Sequence, residues 1–510
     1  MSTAIRIHPK NSKIFEFRGM PLVLVTATEH YGAVMNRPFR FERYLTDAAE
    51  KKMTLTRLFT LFRELQSVCN PYSTCKPESP DYIAPFKRVG PGKALDGQPQ
   101  YDLDQWNPEF FARLHRFLSL ASGYDIIVEV VMLSNTYGDS VWALNPLNPR
   151  NNVNGIEETH WPEYMTLRHS RLFARQAMHV RKIVEETNQY DNVIYEICNE
   201  PGGGLAAVGS PTTDEVNDWQ AAIARIVRET ESGLPNRHLI AGQEAFAYSL
   251  PDESQRSGPD VYQFADRTFD TLGFFDIANM HPLSNMIYRG RHYDLGQFMC
   301  GRLRLRNLRQ YCLDLYQEPK PLNLDEDNAA SQYKDPAGWT IHRKRAWTTL
   351  LCGCHYDYID FSIINYCEIG TPNSQRHIRT WMKHLSEYIH SVDLVRARPA
   401  LHVVREHPEH TLPSVLAVEG EDYSIYLADC RELDVPGAGE TIRGEVVGDF
   451  PEADYETACY SPVTGLYSPW SPLRGGRNTR LSVPQFRHDI VLRIQKRRCF
   501  PVHPSAPADG

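Results

Sequence analysis

Between about residue 20 and residue 392, short apolar runs alternate with stretches whose apolar positions recur every three or four residues. PLVLVTA, from Pro21, predicts a strand, and an amphipathic helix follows over 41–52. LTRLF, from Leu55, is the second strand. Asn107-Pro108 then opens a helix running to 122, with proline in the first turn, where its missing N–H is harmless. DIIVEVVML, from Asp125, is nearly continuous in β-branched and apolar residues, as in a strand buried on both faces. A long helix is predicted over 165–188, a fourth strand in NVIYEIC from Asn192, and a helix over 213–232. HLIAG (from His238), FDIANM (from Phe275), PLNLDE (from Pro321) and YDYIDFSI (from Tyr356) add four strands. Helices over 303–316, 340–351 and 375–390 separate the later ones.

Eight strands alternating with helices predict an α/β fold of the (β/α)8 barrel type. An open doubly wound sheet also alternates, but no glycine-rich phosphate loop follows an early strand. Gly202-Gly203-Gly204 follows the fourth strand behind a proline and reads as a loop. From Asp393 the pattern changes to short alternating segments, such as SVLAVEG, YSIYLAD and DIVLRIQ, broken by Pro, Gly, Asp and Asn. That spacing predicts a small antiparallel β-sandwich. The expected organisation is a barrel domain over 1–392 with a short N-terminal β segment, a β-sandwich over 393–500, and a disordered tail over 501–510.

Composition narrows the partners. Of 510 residues, 55 are Lys or Arg and 63 Asp or Glu, a net charge of −8. This balance is unsuited to electrostatic nucleic-acid binding. No apolar run reaches the length of a spanning helix, so no membrane partner is expected. Residues 1–15 show no charged region followed by an apolar one, which predicts a cytoplasmic protein, or a secreted one if a leader has been removed. The 11 cysteines are odd in number, and Cys198, Cys352, Cys354 and Cys367 fall in or beside apolar segments. They are expected to be free thiols. Cys352-Gly353-Cys354-His355 lacks a second ligand pair, so no zinc is expected there.

Two acidic motifs carry the chemistry. Tyr195-Glu196-Ile197-Cys198-Asn199-Glu200-Pro201 ends the fourth strand in Asn-Glu-Pro. In a barrel, the C-terminal strand ends form the active face, so this carboxylate is displayed there. Asn323-Leu324-Asp325-Glu326-Asp327-Asn328 sets three acids in a row at the end of the seventh strand, where catalysis, an oxygen-ligand metal site or a solvated turn would each explain them. Taken together, two carboxylates on nearby strand ends meet the needs of glycoside hydrolysis. One protonates the leaving oxygen and the other captures the oxocarbenium-like centre.

With these motifs the chain resembles the clan A glycoside hydrolases, retaining enzymes built on a (β/α)8 barrel, over about residues 20–392. The resemblance implies that Glu200 is the acid/base and Glu326 the nucleophile, with no metal or organic cofactor. It matches Arg57, in Thr56-Arg57-Leu58-Phe59, to the clan's arginine beside the nucleophile. It matches His281, in Asn279-Met280-His281-Pro282, to a histidine lining the site. Pro282 stands where the clan often has tyrosine, and Asp360-Phe361-Ser362 where a sugar-stacking tryptophan is common. The β region after the barrel looks like the small β domains that follow barrels in cellulase-like and DUF4038-type proteins.

Further binding residues are expected around this pair. Asn199 is placed to hold a substrate hydroxyl. Glu29 and His30 follow the first strand on the same rim. Asn135, Tyr137 and Trp142 lie in the loop after the third strand, ahead of Asn151, Asn152 and Asn154, and offer amides and ring faces for a sugar. The long connection over 60–106 carries Tyr72, Tyr82, Phe86 and Tyr101 and is expected to wall the cleft. The expected partner is a carbohydrate. Two rivals remain: a metal-dependent barrel hydrolase using Asp325, Glu326, Asp327 and His281, and a non-catalytic sugar-binding protein on the same scaffold. Mutual repulsion of the two catalytic carboxylates leads to the expectation that Glu200 is protonated at rest.

Overall fold

The computed structural model describes residues 4–62, 79–203, 209–249, 261–264, 273–284, 286–296, 299–331 and 336–497. Eight strands form one sheet whose spatial order follows the chain. They are β1 (Val25–Thr28), β2 (Leu55–Phe59), β3 (Ile127–Ser134), β4 (Val193–Asn199), β5 (Leu239–Gly242), β6 (Ile277–Asn279), β7 (Leu322–Asp327) and β8 (His355–Ile359). Every pairing from β2 to β8 is parallel, and β8 pairs with β1. The Thr54 N–H reaches the Val25 carbonyl at 3.0 Å across the remaining seam. The fold is a (β/α)8 barrel.

Among the described residues, seven helices of ten residues or more pack around it: α1 (Phe41–Glu50), α2 (Pro108–Gly123), α3 (Ser170–Thr187), α4 (Thr213–Glu231), α5 (Leu305–Leu315), α6 (Pro336–Leu351) and α7 (Ile378–Ile389). Local chemistry sets their starts. Asn107 caps α2 through the Glu109 N–H with Pro108 behind it, and Thr212 and Glu215 form a capping box on α4. The long helix expected from residue 165 starts later, because Trp161–Met165 forms a separate 3-10 turn and Thr166 is extended. Among the described residues no helix lies between β5 and β6. Phe246–Ser249 and Val261–Phe264 instead join Gly202–Gly203 and two later strands in a small sheet.

The run PLVLVTA is divided between two sheets. Met20–Leu22 pairs back onto Asn11–Phe17, and only Val25–Thr28 enters the barrel. The resulting three-stranded N-terminal sheet closes the barrel floor. Ile5, Phe15 and Phe17 bury against Leu24, Leu55, Ile127, Ile194 and Ile277, which are at or beside the strand starts. The catalytic end is therefore the opposite one.

After α7, nine antiparallel strands follow: β9 (Arg398–Pro399), β10 (Val404–Glu406), β11 (Thr411–Val418), β12 (Asp422–Asp429), β13 (Ile442–Gly448), β14 (Asp454–Tyr460), β15 (Ser471–Arg474), β16 (Thr479–Phe486) and β17 (Asp489–Lys496). They make a six-stranded sheet in the order β9-β11-β12-β17-β14-β15 and a three-stranded sheet β10-β13-β16. Val415, Ile425, Leu427, Val446, Leu481 and Leu492 fill the space between them. The six-stranded sheet presses its other face on α6 and α7. Trp347 stacks on Tyr426 at 5.5 Å, and buried Arg343 makes a two-pronged pair with Asp489 at 2.8 and 2.9 Å. The tail expected over 501–510 lies outside the described residues. No described helix is long and apolar enough to cross a membrane.

Candidate active site

Glu200 is the first residue beyond β4 and has φ of 49°, a left-handed conformation uncommon for a glutamate. Asn135 supports this turn. Its Nδ2 donates to the Glu200 carbonyl at 2.9 Å, its Oδ1 accepts the Tyr137 N–H at 2.9 Å, and its N–H bonds the Asn199 carbonyl at 3.0 Å. Over-determined backbone of this kind is how a site holds a costly φ in place.

The three acids of β7 are separated by a bulge. Leu324 pairs with Tyr356 and Asp327 with Tyr358, so Asp325 and Glu326 together oppose the single residue Asp357. Regular alternation would send neighbours to opposite faces. Here both meet Arg57, Asp325 at 3.3 Å and Glu326 at 3.2 Å. Asp327 turns outward instead, to Arg345 at 2.5 Å and the Tyr356 hydroxyl at 2.8 Å. The metal set Asp325, Glu326, Asp327 and His281 is therefore not assembled around one point.

Two cations organise the site. Arg57, fully buried, donates from Nη1 to Glu326 at 3.2 Å and from Nη2 to Glu196 at 2.5 Å and Asn199 Oδ1 at 3.1 Å. Its guanidinium lies 4.4 Å from the ring centre of Tyr31. His281 bridges the two glutamates: Nδ1 is 2.8 Å from Glu200 Oε1, while Nε2 is 3.3 Å from Asp325 and 3.8 Å from Glu326. Burial disfavours the imidazolium, but the charges of Asp325 and Glu326 and the bonds to Asp325 and Glu200 hold its pKa well above the ordinary value. One oxygen each of Glu200 and Glu326 and one His281 nitrogen lie within 4.8 Å of one another.

Burial raises Glu326 to about 7, helped by Glu200 and Asp325 and opposed by His281 and Arg57. Burial also pushes Glu200 up, yet the hydrogen bonds from His281 and Tyr137 and the charges of His281 and Arg57 bring it below its ordinary value. This direction runs against the expectation from mutual repulsion, because His281 gives the Glu200 carboxylate a hydrogen-bonded cationic partner.

Beneath the pair the barrel interior is polar. Glu129, Glu196 and Asp325 bring one oxygen each within 4.8 Å, all buried, around the Arg57 guanidinium. Asn279 donates to Glu129 at 2.7 Å. Asp357 accepts from Thr28 at 2.9 Å and from the Tyr31 hydroxyl at 3.3 Å. Burial and mutual repulsion hold Glu129 and Asp357 well above their ordinary values. Sequence reasoning missed Glu129, Glu196 and Asp357. The one available signal was charge inside an apolar strand: Glu129 in IVEVVMLS and Glu196 in VIYEICN.

The remaining expected residues divide between the mouth and its supports. Asn199 joins Arg57 to the Tyr137 hydroxyl, which its Nδ2 meets at 2.8 Å. His30 packs 5.4 Å from Phe361, and burial together with Arg57 lowers its pKa to about 3, so it is a neutral ring at the rim. Glu29 is instead fully buried and accepts the Gly32 and Ala33 N–H groups at 3.0 and 3.2 Å, which shapes the turn after β1. Trp142 is a brace: it is buried, donates to the Thr159 carbonyl at 3.0 Å and packs on Tyr164. Asn151 and Asn152 likewise bond loop carbonyls at 2.8–3.1 Å. Tyr82, Phe86 and Tyr101, expected in the cleft wall, are buried, while Tyr72 lies outside the described residues. Long loops are anchored by large side chains packed into the core, and Tyr82, Phe86, Tyr101 and Trp142 all join the main hydrophobic cluster.

Two clusters have the composition of a metal site. In the lower one, Arg57 already supplies the positive charge. In the upper one, His281 Nδ1 bonds Glu200 at 2.8 Å, while its buried Nε2 has no hydrogen-bond partner and faces Asp325 at 3.3 Å and Glu326 at 3.8 Å. The arrangement places one histidine between two carboxylates of the mouth.

Residues 84–270 match the cellulase family, glycosyl hydrolase family 5. No curated protein matches the chain. Among solved structures, a glycoside hydrolase family 5 protein from Bacteroides vulgatus ATCC 8482 aligns with a TM-score of 0.59 at 12% identity, covering 97% of this chain and 94% of that one. A second, described as a glycoside hydrolase, aligns with a TM-score of 0.58 at 10% identity and 97% coverage of each chain. The structural likeness establishes the barrel with its appended β region. With the family match, the chain is a glycosidase on a (β/α)8 barrel. The segment similar to glycosyl hydrolase family 5 spans β3 to β5 and the loops around them.

Proposed function

We propose that the protein is a retaining O-glycoside hydrolase that cleaves a glycan or oligosaccharide by double displacement. The observation that carries this reading is that carboxylate oxygens of Glu200 and Glu326 lie within 4.8 Å at one barrel mouth. Retaining enzymes set their carboxyl groups about 5–5.5 Å apart, because the nucleophile bonds carbon directly, whereas inverting ones leave room for a water. In the first step Glu326 attacks the anomeric carbon and Glu200 gives its proton to the departing oxygen. In the second, Glu200 takes a proton from water as that water displaces Glu326. Arg57 stabilises the ionised nucleophile. An arriving glycosidic oxygen competes with His281 for Glu200, and the developing positive charge at carbon favours ionised Glu326. Both effects move the shared proton onto Glu200.

The likeness to cellulases supports a chain of β-linked pyranose units as substrate. The cysteines among the described residues are all unbridged, which supports a reducing, cytoplasmic setting. Proton NMR of the first-formed sugar, during hydrolysis of an aryl β-glycoside panel, tests the mechanism. The β anomer is expected first, and the α anomer as first product would reject double displacement.

A further inference from the structure

On the C-terminal sheets, away from the barrel mouth, three rings form a ladder that leads outward. Tyr388 of α7 is buried. Tyr467 stacks on it with centroids 6.3 Å apart and planes 29° apart, and Trp470 continues the stack at 5.6 Å and 27°. Tyr467 and Trp470 are 40% and 39% exposed. Trp470 leads directly into β15, whose Pro472 pairs with Glu456 of β14. Glu456 pairs with Gln495 of β17, and Gln495 with Asp422 of β12. One rung across the sheet thus carries two carboxylates and an amide; Asp422 is held through both oxygens by buried Arg493 at 2.5 Å, which leaves Glu456 and Gln495 facing outward beside it. Ser424, two residues from Asp422 and on the same face, accepts the Tyr388 hydroxyl at 2.9 Å, so this polar rung stands on the ladder's side of the sheet. Beside it runs a cleft of about 980 Å³ lined by Ser391, Arg396, Asp422, Glu456, Gln495 and Lys496.

An exposed aromatic ring by itself is ordinary. Here the outermost ring is held rigid by the two beneath it, and it borders acceptors and donors suited to hydroxyl groups. Carbohydrates need both: the C–H face of a pyranose packs on a ring, while its equatorial hydroxyls bond carboxylates and amides. We propose that Trp470, with Glu456 and Gln495, forms a second carbohydrate-binding site, which holds a pyranose unit of a glycan chain outside the catalytic mouth. Binding of a polymer here would raise its concentration at the enzyme without taking part in the cleavage.

Native affinity electrophoresis of the full chain carrying Glu326→Gln, run through gels containing glucomannan, hydroxyethyl cellulose, β-1,3/1,4-glucan or xylan, tests this directly. At least one polymer should retard the protein. Adding Trp470→Ala should weaken the retardation at least fivefold, and adding Trp470→Phe, which keeps a ring on Tyr467, should restore most of it. Glu456→Gln should weaken it to a smaller degree. Thermal melting confirms that each variant is folded. The site is rejected if no polymer retards the chain, or if retardation survives Trp470→Ala. It is also rejected if Trp470→Ala converts a dimer to a monomer on size exclusion, which would make the ladder a contact between copies. Retardation that depends on Trp470, without turnover of any glycoside by the unmodified enzyme, would sink the catalytic reading and leave this one standing.

Discussion

Arg57 is the residue on which the charges of the site converge, and it explains how a buried Glu326 can ionise. Asp325 and Asp327 flank Glu326 in sequence but have other work: Asp325 lies beneath it between Arg57 and His281, and Asp327 is bound to Arg345. Glu326→Ala should therefore lower turnover at least about a thousandfold while the fold survives. Azide should rescue part of that activity as a glycosyl azide of inverted configuration. Loss of activity in Asp327→Asn with retention in Glu326→Ala would overturn the assignment. In the proposed mechanism, Glu200 and Glu326 work as a pair with one proton between them. With two protons bound the nucleophile is lost, and with none the acid is lost. Burial, above all, lifts Glu326 to about 7, which marks the departure of the last proton. The rate should thus fall as pH rises through about 7, and Glu200→Gln should abolish that limb for activated aryl glycosides, as read from kcat/KM profiles.

At the scale of elements, two local departures from regular structure build the site. The β7 bulge brings Asp325 and Glu326 to one side, and the left-handed turn after β4 presents Glu200 beside them. Asn135 on the neighbouring loop holds that turn through the Glu200 carbonyl. Asn135→Ala should lower kcat about 10- to 100-fold, because small displacements of an acid from its leaving group are costly. The upper pH limb should remain near 7, since neither carboxyl is removed. Unchanged kcat would show that the turn holds without its side-chain support.

Across the whole molecule, the barrel and the C-terminal sheets are bound through buried groups on α6 and α7. Trp347, Tyr388, Tyr426 and Tyr460 form one aromatic cluster, and Arg343 pairs with Asp489 inside it. Cys312, Cys352 and Cys354 sit behind the barrel wall, and burial raises the thiols of Cys352 and Cys354 well above their ordinary values, together with the proximity of Cys312. Such thiols stay protonated and inert in the folded protein. Titration in denaturant without reductant should count all, or nearly all, of the 11 cysteines, and a set of disulfides would contradict a reducing setting.

The alternation of apolar runs with amphipathic stretches was enough to specify the barrel, because strand and helix periodicities are properties of neighbouring residues. The Asn-Glu-Pro ending of β4 and the acidic ending of β7 were legible for the same reason, and so was the change of texture near residue 393. Which acid of β7 faces the mouth was not legible. That depends on one unpaired residue between β7 and β8, a matter of register with a strand about thirty residues away. The polar floor of Glu129, Glu196 and Asp357 was hidden because each acid is a lone charge in an apolar run, and only barrel closure brings them around Arg57. Closure likewise turned Glu29, Trp142 and the loop asparagines from sugar contacts into supports. The lowered proton affinity of Glu200 was decided by His281, which reaches it across 81 positions of sequence. Electrostatic partnership acts through space, and chain order alone does not encode that distance.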